Sequence, residues 1–209
     1  MTMKNNLCRT WFTSDTHFYH ERMMNFCARP FGDAEEMNEC LIENWNSHVR
    51  PSDTIYHLGD LMWSESHFKK IIPRLNGKIH LILGNHDHKP HLYQHLLSSV
   101  EKYKEIKINK QKICLFHYPM VSWNAHYHGS WNLFGHVHDT MSWLSGKMMD
   151  VGVDSVSSYL DPTQNIKENY RPISFDEVKE IMDSRDKAEN PAFVLPGMYE
   201  NYNGDMPNE

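Results

Sequence analysis

Short β-like apolar runs alternate with helical patterns along the first half of this chain. That order predicts an α/β domain whose strands feed loops at their C-terminal ends. Thr10-Trp11-Phe12-Thr13 reads as the first strand. Asp33, with Glu36 three residues on, predicts a helix cap; Met37, Leu41 and Trp45 then recur on one face until Arg50-Pro51 ends the helix. Asp53–Leu58 reads as a strand. Phe68, Ile71, Ile72 and Leu75 form a second helical stripe, stopped by Pro73 and Asn76-Gly77. Lys78–Leu83 reads as the next strand, and Pro90 opens a predicted helix carrying Leu92, Leu96 and Leu97 and ending near Ser98-Ser99. Ile106 and Ile108 alternate with polar neighbours, a turn falls at Asn109-Lys110, and Ile113–Phe116 returns, which predicts a β-hairpin. Trp131–Phe134 and Lys147–Val153 are further strands, and Ser174 with Glu177 makes a capping box for a helix through Val178 and Ile181.

Composition narrows the picture. A chain of 209 residues that is 40% hydrophobic and 12% aromatic can bury one core of ordinary size, so disorder and fibrous repeats are excluded. Mean hydropathy is −0.66 and no apolar run approaches the roughly 20 residues of a membrane helix. Residues 1–7 hold no apolar signal core, so a cytoplasmic location is expected. Cys8, Cys27, Cys40 and Cys114 form no Cys-x-x-Cys pair and read as buried thiols of a reducing compartment. The net charge of −6 disfavours nucleic acid as a partner. Met23, Met24, Met148 and Met149 read as core filling, and the lysines of the hairpin, interleaved with Glu101 and Glu105, as a solvated face. After the last helix the chain turns acidic and rich in Asn and Pro, so residues 1–182 form the expected catalytic domain and residues 183–209 an appendage.

Histidine is the abnormal residue, 15 in the chain, and the informative polar clusters directly follow predicted strands. They are Asp15 with His17, Gly59-Asp60, Gly84-Asn85-His86-Asp87, His117, and Gly135-His136-Val137-His138. Strand ends in α/β sheets converge on a ligand crevice. On extended backbone, residues two apart, such as Asp15 and His17 or His136 and His138, share one face. Asp15, His17, Asp60, Asn85, His117, His136 and His138 offer two carboxylates, one amide and four imidazoles, too many for one ion. A nitrogen and oxygen set without thiolate suits two divalent transition-metal ions, Mn2+ favoured, with Fe, Ni, Co or Zn as alternatives. A carboxylate such as Asp60 can bridge two ions about 3.5 to 4 Å apart. Such a pair generates hydroxide near neutral pH and neutralises phosphate oxygens, which implies phosphoester hydrolysis.

The ordered set Asp-x-His, Gly-Asp, Gly-Asn-His-Asp, His and Gly-His-x-His resembles the calcineurin-like metallophosphoesterase superfamily over residues 10–155. Phe116–Pro119 and Ser130–His136 resemble its small single-domain bacterial and phage branch. The resemblance implies a four-layer α/β/β/α sandwich of two mixed β-sheets flanked by helices. It implies one metal on Asp15, His17, Asp60 and His138, and a second on Asp60, Asn85, His117 and His136. It assigns His86 to the substrate's leaving oxygen. The resemblance departs at Trp63, where many members of the superfamily carry Asp or Asn, so either Asp87 orients His86 or His86 acts without a carboxylate.

Further candidate substrate contacts are Arg29, able to clamp a phosphate, His20, and Trp123, Asn124, His126 and His128 on a loop expected to overhang the metals. The expected activity is hydrolysis of a small phosphorylated molecule, with a nucleotide phosphodiester, cyclic ones included, as leading substrate. A phosphomonoesterase or nuclease of the same superfamily is the alternative, and a non-catalytic binding scaffold the rival from another class. The ligand pattern is complete, which favours the enzyme.

Overall fold

The computed structural model of the protein describes residues 8–141, 144, 146–160 and 166–185. Its first sheet runs in the order β4-β3-β2-β1-β9 and its second β5-β6-β7-β8. In the first, β1 (Thr10–Thr13), β2 (Thr54–His57), β3 (Lys78–Ile82) and β4 (Ser99–Glu101) are parallel, with β9 (Ile173–Ser174) antiparallel at the edge. In the second, β5 (Tyr103–Ile108) forms the expected antiparallel hairpin with β6 (Gln111–Phe116), and β7 (Trp131–Phe134) and β8 (Met148–Asp150) continue in parallel. Both sheets are mixed and helices flank them, as the resemblance implied.

Strand alternation distributes the core. Trp11, Ile55, Ile79 and Leu81 face one apolar cluster, where they meet Met37, Leu41 and Trp45 of α2 (Ala34–His48) and Phe68 and Ile71 of α3 (Phe68–Ile71). Phe12, Leu58 and Ile82 join a second cluster between the sheets, with Ile113, Leu115, Trp131 and Leu133. Val156 of α4 (Val153–Leu160) and Val178 and Met182 of α5 (Phe175–Asp183) complete it. The helix starts follow their predicted chemistry. Asp33 Oδ1 accepts from the Glu36 amide at 2.8 Å, and Ser174 with Glu177 forms a full capping box.

Several expectations give way. The predicted helix from Pro90 is two single 3-10 turns, Pro90–Leu92 and Gln94–Leu96. Tyr93 rather than a leucine stripe is the buried anchor, its ring 3.6 Å from that of Phe68, while Leu92 stays exposed. Strand β4, too short to show alternation, follows at once. The predicted strand Lys147–Val153 ends at Asp150, because Val153 already opens α4. Of the four cysteines only Cys114 is buried; Cys27 and Cys40 are half-buried, Cys8 is exposed, and all are free thiols. Of the expected appendage 183–209, Asp183 still belongs to α5, and the residues from 186 onward lie outside the described residues.

One buried carboxylate ties the sheet to the turn after α2. Asp53 accepts from the Arg9 and Arg50 amides, each at 3.0 Å, and from the Trp11 indole N–H at 3.1 Å. Burial pushes its pKa up, but these donors outweigh burial and hold it below the usual carboxylate range. A depressed folded pKa gives stability that is present above the unfolded value and lost as pH falls through the folded one. Asp53→Ala should therefore lose about 1–3 kcal/mol in urea unfolding at pH 7, with the gap to wild type narrowing below pH of about 4.

Candidate metal centre

Register brings the clusters together. Thr13 of β1 lies beside His57 of β2, which lies beside Leu81 of β3, so Ser14–His17, Gly59-Asp60 and Gly84–Asp87 leave the first sheet along one edge. His117, Gly135–His138 and Asp150–Asp154 leave β6, β7 and β8 of the second. An isolated bridge, Ser14 to Gly152, joins the two rims.

All seven candidate ligands meet there, though not on extended backbone as the spacing argument assumed. Asp15, His17, Asp60, His136 and His138 have φ of 55°, 49°, 55°, 72° and 47°. The strands end and the chain turns into the left-handed region, where non-glycine residues are uncommon and concentrate at functional sites. Glycine serves close approach here. A Cβ on Gly84 would stand 2.2 Å from Asp60 Oδ1, and one on Gly135 2.2 Å from Asp15 Oδ2.

Two ligand groups result. Asp15, His17 and His138 offer atoms within 4.8 Å of one another, as do Asp60, His117 and His136. Asp60 Oδ2 lies 3.6 Å from both His17 Nε2 and His117 Nε2, between the groups. Asn85 Oδ1 is 3.0 Å from His117 Nε2. His117 donates from Nδ1 to the Leu58 carbonyl at 2.7 Å, which leaves its Nε2 lone pair free.

The residues fit cations on their own chemistry. Among the described residues, Asp15 Oδ1 and His17 Nε2, buried 3.9 Å apart, find no hydrogen-bond partner. Burial first, then the Asp150 and Asp60 carboxylates, pushes Asp15 well above the usual range, with His138 opposing. Burial, then Arg29 and the neighbouring imidazoles, holds His17 well below the usual value, hence neutral. A buried acid short of positive charge and a neutral imidazole with a spare lone pair are both satisfied by a metal ion.

Behind these ligands stands a support that the strand-end reading missed. Asp154 Oδ2 accepts from His138 Nδ1 at 2.8 Å, and Arg29 grips the same carboxylate through Nε at 2.7 Å and Nη2 at 2.8 Å. Arg29 also donates to the Asp15 carbonyl at 2.7 Å and the Thr16 carbonyl at 3.0 Å. Arg29 is therefore buried inside the protein rather than poised to clamp a phosphate. Burial raises Asp154, but Arg29 and His138 outweigh it and hold it at about 2. Burial lowers His138, but Asp154, Cys27 and Asp15 raise it to about 11, a proton that a divalent cation would displace. Cys27 also lies within ligand reach of His138 and Asp154. A signal for Asp154 was present in its acidic neighbourhood just past β8.

The remaining candidates divide. His86 lines the cavity, its Nε2 4.0 Å from Asp60 Oδ2. Asp87 does not orient it. Both Asp87 oxygens are committed to backbone, accepting from Asp60, Leu61 and Gly84 amides at 2.7, 3.1 and 2.9 Å, and so they shape the ligand loops. His20 lines the cavity and stacks on Trp63. The loop read as overhanging the metals packs elsewhere. Trp123 is buried with Cys114, Phe134 and Met148 on the outer face of the second sheet, and His126 stacks on it at 3.8 Å. Asn124 bonds Glu105, and His128 shares a separate cleft with Lys107, Lys110 and Lys112. Burying a large indole outweighed any reach toward the site. Only Tyr118, at the loop's start, arrives there, 4.6 Å from the His136 ring.

Residues 9–151 match the calcineurin-like phosphoesterase superfamily domain. The chain belongs to that superfamily. An uncharacterised protein of Methanocaldococcus jannaschii is 35% identical over 182 residues, covering 84% of this chain and 92% of its own length. The gene 66 protein of Mycobacterium phage L5 is 38% identical over 85 residues, 39% of this chain and 41% of that protein. Among solved structures, a protein of unknown function from Aquifex aeolicus shares the fold at a TM-score of 0.64 and 24% identity, over 84% of this chain and all of that one. That superfamily is one of metal-dependent phosphoesterases, which supports a phosphoric ester hydrolase, and the two ligand groups are candidates for holding such a metal. Among the described residues no helix is long and apolar enough to cross a membrane.

The carboxylate behind His138 supplies a test. Asp154→Asn keeps the shape but weakens the acceptor for His138 and Arg29, and should reduce Mn2+ affinity by about 10–100-fold in chelator competition. An unchanged affinity in a folded variant would remove Asp154 from the support of the site.

Proposed function

We propose that this chain hydrolyses a phosphodiester of small size, with a nucleotide as leading substrate, using two divalent transition-metal ions, Mn2+ favoured. The observation that carries the reading is Asp60 Oδ2, equidistant at 3.6 Å from an imidazole of each ligand group, the position of a bridging carboxylate. Asp15, His17, Asp60 and His138 would hold one ion, and Asp60, Asn85, His117 and His136 the other. When bound, such a pair supplies an activated water and neutralises charge on the phosphate oxygens.

The chain's own groups supply the rest. Asp60 is fixed by the Asp87 carboxylate through its amide, and its Oδ1 accepts from the His86 amide at 2.8 Å, so ligand and acid share one frame. His86, at the cavity wall, delivers a proton from Nε2 to the leaving oxygen as the P–O bond breaks. With Arg29 turned inward, Arg22 is the one Lys or Arg among the described residues lining the cavity. A diester, with a single negative charge, asks less of such a wall than a dianionic monoester does. Compact size and net negative charge likewise support a small ligand over a polymer held by many phosphate contacts.

Turnover of bis-p-nitrophenyl phosphate against p-nitrophenyl phosphate with added Mn2+ ranks the two reactions. The diester should be preferred, and Asp60→Asn or His136→Ala should each lose at least about 100-fold in kcat/KM. A monoester preference would replace the diester reading, and unaltered variants would remove the metal centre from the chemistry. His86→Ala should cost little on the p-nitrophenyl leaving group and about 10²–10⁴-fold on an alkyl one. Equal losses on both would end its role as acid.

A further inference from the structure

Trp63 and Phe26 are 49% and 72% exposed, and both line the cavity of about 570 Å³ that holds Asp60, Asn85, His86, His136 and His138. We infer that these two aromatic side chains form a clamp for a nucleobase joined to the scissile phosphate, and that they set the preference for nucleotides over other phosphate esters.

Trp63 is fixed before any ligand arrives. Its amide donates to the Phe18 carbonyl at 3.0 Å, beside the isolated bridge between Phe18 and Met62. Its ring stacks on His20 at 3.8 Å and 20° between planes, and His20 in turn sits 3.3 Å, Nδ1 to Nδ1, from His17. The indole is thus held against the metal ligands while about half its surface remains open. Phe26 ends α1 (Met23–Phe26), with Arg22 and Met23 of the same turn also on the cavity wall.

A phenyl and an indole left in water are costly unless something flat and apolar covers them. The cavity falls within the roughly 300–1,000 Å³ of small-molecule sites. A base has a π-face whatever its identity, and stacking is tolerant of sequence. Phosphate belongs at the ligand groups, and the aromatic pair, with Arg22 the one Lys or Arg among the described residues of the cavity wall, suits a ring that carries no charge of its own. The clamp rests on the phosphodiesterase reading only for where the phosphate sits.

Calorimetry on the Mn2+-loaded full chain tests it without turnover, using AMP and ribose 5-phosphate, which differ by the base alone. Wild type should bind AMP at least about tenfold tighter than ribose 5-phosphate, with UMP close to AMP. Trp63→Leu and Phe26→Ala should each cut that ratio by about fivefold or more, and Trp63→Phe should restore most of it. Both side chains are exposed, and circular dichroism confirms that the variants fold. A wild-type ratio near one, a ratio untouched by Trp63→Leu in the folded protein, or no binding of either compound would each overturn the clamp. Loss of the base preference in Trp63→Leu, in a protein that fails to cleave bis-p-nitrophenyl phosphate, would sink the diesterase reading and leave the clamp standing.

Discussion

The site depends on a backbone constraint: five of its candidate ligands occupy left-handed conformations at strand ends. Each such residue costs about 1–2 kcal/mol relative to ordinary backbone, and it persists only where the surroundings enforce it. Here they do. The Asp15 amide is bound by the Gly59 carbonyl at 2.9 Å, the His17 amide by the Asp60 carbonyl at 3.0 Å, and the His136 amide by Asp15 Oδ2 at 2.9 Å. The ligand loops are cross-braced against one another, so the strain of each is held by its neighbours. A ligand set preorganised in this way keeps its geometry without reorganising when charge arrives.

The same economy explains the buried Arg29. A guanidinium shut away from water demands a partner for each donor, and it finds them in Asp154, in the carbonyls of Asp15 and Thr16, and in the Met37 sulfur at 3.5 Å. Such a pair is weak evidence for added stability, since desolvation offsets attraction. Its value lies in direction. It fixes the carboxylate that orients His138 and, through the Asp15 carbonyl, the chain segment that carries the other ligands of that group. One arginine sets two strand ends in register.

Much of this was legible in the sequence, and the misses share a cause. Strand–loop punctuation at Asp15, Asp60, Asn85, His117 and His136 was readable because polar residues interrupt apolar runs at a fixed kind of place. The capping chemistry at Asp33 and Ser174 was readable because it is local. Arg29 and Asp154, 125 residues apart, are joined only by the fold, and no spacing rule links them. The helix predicted after Pro90 does not form because leucine period does not reveal which residue finds a partner; Tyr93 stacks on Phe68. The loop holding Trp123 departs from expectation for the same reason, its indole packing on Cys114, Phe134 and Met148 of the neighbouring sheet rather than reaching the site. Asp87 looked like a partner for His86 because it is next in sequence, yet its oxygens face three amides.

The two ligand groups straddle the seam between the sheets. Asp15 and His17 come from the first sheet and His138 from the second; Asp60 comes from the first, His117 and His136 from the second. A cation seated in either group is consequently a rivet through both layers, and its affinity is linked to their apposition. Loosening the sandwich would weaken the hold on such a cation, and a bound cation would tighten the sandwich, by an amount that grows with the logarithm of free metal. Folding and metal loading of such a molecule would then be linked.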